Sequence, residues 1–188
     1  MTNLKQLLDS YNICARFAPG FLFIIAVYFL LGYDIETLQD NSIVFIVLLF
    51  ILSGVCGFSS ATLIKIIEKL LWKIKNPIIL YLNLFEKDIY KDLLKKHSND
   101  NNIITCLLEN TRGDNKLFWK NISYGFFRNS ILLSLVCLYF SHSTEYFYKN
   151  ICVCVAIILM TFICSFYYAE QAIKSYQEKT YKEKTNAN

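Results

Sequence analysis

Residues 41–64 read NSIVFIVLLFILSGVCGFSSATLI, twenty-four in a row without a formal charge. At about 1.5 Å per residue, a helix of this length crosses a ~30 Å hydrocarbon layer with some tilt. A buried helix of a soluble protein normally keeps a polar stripe, and this stretch has none. It predicts a transmembrane helix. Its middle carries Ser53, Gly54, Gly57, Ser60 and Ala61, so one face is lined by small residues. Ser53, Gly57 and Ala61 are four apart and stack on one side of a helix. Lipid provides no hydrophobic drive for helices to associate, so close packing over such residues supplies much of the attraction. The face predicts a helix-packing seam, closed either between subunits or against another helix of the same chain.

Three further uncharged runs surround it, at 17–33, 129–144 and 150–169. The first is entered through Arg16 and Pro19, and a proline suits the first turn of a helix. A cleaved signal peptide would need an A-x-A-like site after the run, where the chain reads LLGYDIE. The first span is therefore expected over 21–33 with its flanks, short for a bilayer. Tyr167 and Tyr168 close the fourth run at the level where amphipathic rings favour the membrane interface. Composition agrees: 55% of the residues are hydrophobic, 16% aromatic and only 18% charged. Two prolines and six glycines suit long helices, and no ~10-residue alternating segments of a β-barrel occur. The fold class expected is all-α, an integral membrane protein with four transmembrane helices and a helical cytoplasmic insert between helices two and three.

Between the hairpins the pattern stays helical. Residues 65–76 continue the second helix out of the bilayer as an amphipathic rod, ended by Asn76-Pro77 as cap and first residue of the next helix. Residues 78–97 carry Ile78, Leu82, Phe85, Ile89 and Leu93 as one stripe on one helix. Leu82, Phe85, Ile89 and Leu93 are the candidate contact with a partner or a sister subunit, because the insert is too small to bury its stripes alone. A loop at 98–102, a short helix at 103–110, a turn at 112–115 and Asp114 as a helix cap follow. Residues 1–18 read as an amphipathic segment on the membrane surface. The tail, 170–188, is polar and lysine-rich and is expected to fray. The parts are thus 1–18, a first hairpin at 19–64, the insert at 65–128, a second hairpin at 129–169 and the tail.

Lysine and arginine set the orientation. Twelve of the nineteen fall in 65–128 and four in the tail, whereas the loops 34–40 and 141–149 hold only Lys149. By the positive-inside rule both termini and the insert face the cytoplasm. Acidic residues partly offset the basic ones in the insert, so direct nucleic-acid binding is not expected.

No catalytic or metal-binding motif is legible. The seven cysteines include no CxxC pair and read as small buried hydrophobes. His97 and His142 would lie on opposite sides of the bilayer. There is no HExxH, GxSxG or phosphate-cradling glycine loop. No cofactor is expected, and no enzymatic activity. With no ionisable group central to any run, a transporter is not expected either. A pore would need several subunits to line it with groups such as Ser53, Ser59, Ser60, Ser134 or Thr161.

The motif ARFAPG at 15–20 and the lysine-rich insert, taken with size and topology, resemble the small multi-pass membrane proteins of bacterial antiphage defence. The nearest are the membrane accessory proteins of type VI-B CRISPR RNA-guided RNases, and the Kiwa-type membrane subunit is a second candidate. The resemblance implies a homo-oligomeric inner-membrane effector or regulator, acting in lipid with a soluble cytoplasmic nuclease or other defence protein, with or without a pore. A scaffold without a pore is the alternative. No catalytic residue carries over.

Overall fold

The structure, a computed structural model, describes residues 9–32, 43–71, 76–97, 99–111 and 113–186. The expected loop at 34–40 and residues 72–75 of the rod lie outside the described residues, as do residues 1–8. Every regular element among the described residues is a helix: α1 (Ser10–Leu30), α2 (Ile43–Leu71), α3 (Pro77–Phe85), α4 (Lys87–Lys96), α5 (Asp100–Asn110), α6 (Asn115–Ser141) and α7 (Phe147–Asn186). Four of them, α1, α2, α6 and α7, are long and apolar enough to cross a membrane. The chain forms two compact units, Met1–Trp72 with Ile122–Thr161, and Lys73–Asn121 with Phe162–Asn188.

In the first unit, α1 departs from the sequence expectation. The amphipathic segment is not separate from residue 10 onward, because the helix runs from Ser10 into the apolar run without a break. Asp9 caps it, accepting from the Asn12 N–H at 2.7 Å. The candidate span, Ser10–Leu30, is 21 residues, beginning well before the 21–33 with flanks that the sequence led us to expect. One wide π-turn, Ile13–Phe17, lies within it. The physical reason is Pro19, which has no N–H to return to the carbonyl of Ala15 four residues back. The helix loosens there instead of ending.

The second unit has its own small core: Ile78, Ile79 and Leu82 of α3, Leu93 of α4, Ile103 and Leu107 of α5, Leu117 of α6, and Ala169, Ala172 and Ile173 of α7. Asn76 caps α3 as expected, its side chain accepting from the Ile78 N–H at 3.0 Å with Pro77 in the first turn. The single helix expected over 78–97 is two helices, broken at Glu86 (φ −130°, ψ 51°). A straight helix would carry Leu93 about 16 Å along its axis from Leu82. The break lets both side chains be buried. Tyr90 of α4 then donates to Asp100 at the start of α5, at 2.8 Å. The tail is also corrected: α7 stays helical to Asn186, and its first turns past the apolar run are anchored by Ala169, Ala172 and Ile173, an i, i+3, i+4 apolar stripe that is buried.

Candidate functional site: a polar seam among the apolar helices

The first unit is held by a seam where α1, α2 and α6 meet. Gly20 of α1 lies on the backbone of Ser53 and Gly57, and a Cβ there would collide with the Ser53 carbonyl. Gly57 in turn faces the Arg16 carbonyl oxygen, which occupies the space a Cβ would need. Glycine on both helices is what permits so close a crossing. Gly54 is less confined, meeting only the Phe17 ring at 3.6 Å. Ser53, Ser60 and Ala61 are buried, so the small-residue face closes inside this chain, against α1 and α6.

At the centre stands Asn129, which is 0% exposed. Its side-chain N–H donates to the Ala15 carbonyl at 2.6 Å. Its own carbonyl accepts from the Ser60 hydroxyl at 2.6 Å. Its side-chain oxygen accepts from Arg128 at 3.5 Å. One residue of α6 thereby ties α1 to α2 and supplies the donor that Pro19 withholds. Such re-satisfaction is what makes a proline tolerable in a membrane helix. The flanking arginines sit over rings: Arg16 lies 5.7 Å from Tyr11 and 5.5 Å from Phe58, and Arg128 lies 5.5 Å from Tyr124. The seam is an interhelical fastener.

The hydroxyls considered for a pore are mostly engaged. Ser53 donates to Leu49, Ser134 to Ile131 and Thr161 to Ile157, each to a carbonyl of its own helix. Ser60 is held by Asn129, and Ser59 is exposed.

In the second unit the four candidate contact residues separate. Leu82 is 0% exposed and Leu93 is buried, Ile89 is half-buried, and Phe85 is 63% exposed. Phe85 joins Tyr81 and Phe166 in an aromatic cluster, with ring centroids 4.9 and 6.0 Å away. Leu80 and Leu84 are exposed beside it on α3. Asp114 caps α6, accepting from the Lys116 N–H at 2.8 Å. Its other oxygen accepts from Ser175 and from Gln171 of α7, the latter at 3.2 Å. The Ser175 hydrogen bond, with help from the Lys116 N–H, holds the Asp114 carboxyl below the usual carboxylate range.

Sequence reasoning missed Asn129, Gly20 and Gly125, the last pressed against the Tyr11 hydroxyl and Ala15. The usable signal was a strongly polar Asn beside an apolar run, which in lipid demands a partner. Among the described residues no three His, Cys, Asp or Glu gather to hold a metal ion. No protein-family profile, curated protein or solved structure matches this chain.

Proposed function

We propose that the chain is a non-catalytic regulator or scaffold of the bacterial inner membrane, which anchors a soluble cytoplasmic partner through its helical insert. The observation that carries this reading is α3, apolar on two sides. Ile78, Ile79 and Leu82 fill the core of the second unit, while Leu80, Leu84 and Phe85 stay exposed. Exposed apolar side chains grouped on one short helix mark a contact surface. The antiphage layout supplies the setting, with an RNA-guided nuclease or other defence protein as the partner, and with several copies of the chain assembling in the membrane.

Between the two forms of that reading, the one without a pore is favoured. Of the five hydroxyls named for a channel lining, four, those of Ser53, Ser60, Ser134 and Thr161, are bonded within the chain. The small-residue face that would bring subunits together is filled by α1 and α6. The test is a pull-down of the membrane-extracted protein with the soluble product of the adjacent gene. Wild type retains that product, Phe85→Asp loses it, and Lys91→Glu keeps it. Equal retention by all three removes α3 as the contact. Dye-loaded liposomes carrying the protein should stay sealed, and release would return the pore.

A further inference from the structure

Between α1, α6 and α7 the first unit leaves a cavity of about 220 Å³. Its wall is apolar along most of its length, with Leu22, Phe23, Leu133 and Val153 among its lining. On α6 the lining runs from Phe126 to Cys137, about 16 Å at the helical rise. That is close to one leaflet, half of a ~30 Å hydrocarbon layer. Asn150 lines the cavity, in the first turns of α7. Its backbone N–H is bonded to Tyr146, but its side-chain N–H group is buried and has no partner among the described residues. Lys149 stands beside it in the chain, its ammonium 5.2 Å from the Tyr146 ring.

A buried amide donor without an acceptor is costly, and more so where no water competes. The cavity therefore asks for an occupant with two chemical parts: a narrow apolar chain, and a hydrogen-bond acceptor where Asn150 sits. We propose that it holds one acyl chain of a membrane phospholipid, whose ester carbonyl accepts from Asn150 and whose phosphate lies toward Lys149. The length along α6 matches a single hydrocarbon chain of one leaflet, part of which the cavity encloses. The charge and the donor match the glycerol-phosphate end. A bound lipid would then be part of the packing of α1 against α6 and α7. The inference rests on the four helices lying in lipid and is independent of the partner reading.

The test uses the full chain reconstituted in vesicles containing a phospholipid with a photoreactive diazirine in one acyl chain, with labelled peptides mapped by mass spectrometry. Labelling is expected at Phe23, Leu133 or Val153 above that at lipid-facing Leu48 and Val55 of α2. Ala26→Phe fills the cavity and should abolish the excess. Asn150→Leu should lower it about fivefold, the weight of one hydrogen bond. Asn150→Gln, which keeps the donor, should restore part of it. Uniform labelling of cavity and α2, unchanged in Ala26→Phe, would overturn the proposal. Equal labelling in Asn150→Leu and wild type would show that water alone satisfies the amide, and would also overturn it. Absence of labelling at every position, α2 included, would overturn the spanning reading itself.

Discussion

The side-chain N–H of Asn129 donates to the carbonyl of Ala15 across 2.6 Å, linking two helices 114 residues apart in the chain. That bond exists because of a third residue. Pro19 stands four positions after Ala15 and has no N–H, so the carbonyl is left for another donor. The π-turn at Ile13–Phe17, the polar residue in an apolar helix and the proline are one device.

Removing the donor exposes that dependence. Asn129→Leu should lower stability in detergent micelles by about 1–2 kcal/mol, within the range of interhelical hydrogen bonds in membranes. In a Pro19→Ala background the same change should cost less, because residue 19 then brings its own N–H. Thermal unfolding of the four proteins of this double-mutant cycle measures the coupling. Strict additivity would show that Asn129 does not serve the carbonyl that Pro19 leaves.

Gly57→Leu tests where the seam closes. The Arg16 carbonyl occupies the space of any side chain there, so overpacking should destabilise by on the order of 3 kcal/mol. Gly54→Ala, which meets only the edge of Phe17, should be mild. Subunit number by light scattering should not change in either. A smaller species at unchanged melting temperature would place the seam between subunits.

Asp114 predicts a pH dependence. Its carboxyl is held below its ordinary range by Ser175, so the folded pKa lies under the unfolded value of about 3.9. The contribution is present above the unfolded value and is lost as pH falls through the folded one. Asp114→Ala should remove that acid-sensitive part and cost about 1 kcal/mol at neutral pH, as for a lost helix cap. Matching melting curves of the two proteins from pH 6 to pH 3 would contradict this.

The two ends of the former stripe should part company. Leu82→Asp puts an unpaired charge into the core and should unfold the second unit, at a cost of several kcal/mol. Phe85→Asp should keep the helical circular dichroism signal and the melting temperature of wild type, since the ring is mostly exposed. Loss of structure in both would make α3 a core helix on every side.

What the residues disclose, and what they hide, follows from the forces involved. Uncharged length is a local property, so α2 and the apolar parts of α6 and α7 are legible, as are the caps at Asn76 and Asp114. The start of α1 is not, because Asp9, Asn12 and Arg16 look like a polar boundary when each is read alone. Yet the Asp9 side chain caps the helix by accepting from the Asn12 backbone N–H, and the Arg16 side chain lies over rings. The break at Glu86 is invisible in a clean helical stripe, since it answers to the volume of the core and not to periodicity. Asn129 looks like the edge of a run. Its role needs Pro19, which is 110 positions away and has no pattern in common with it.

The proposed reading takes the four apolar helices as spans and, from the lysine and arginine distribution, expects Lys91 and Ser143 on opposite sides of the membrane; Ser143 is exposed. Single cysteines at Ser143 and at exposed Lys91 of α4, probed with a membrane-impermeant maleimide and read above the wild-type background, test it most directly. The account predicts that Ser143→Cys labels in spheroplasts with intact inner membranes and that Lys91→Cys labels only after permeabilisation. Labelling of Lys91→Cys from outside, or of both positions alike, would contradict it.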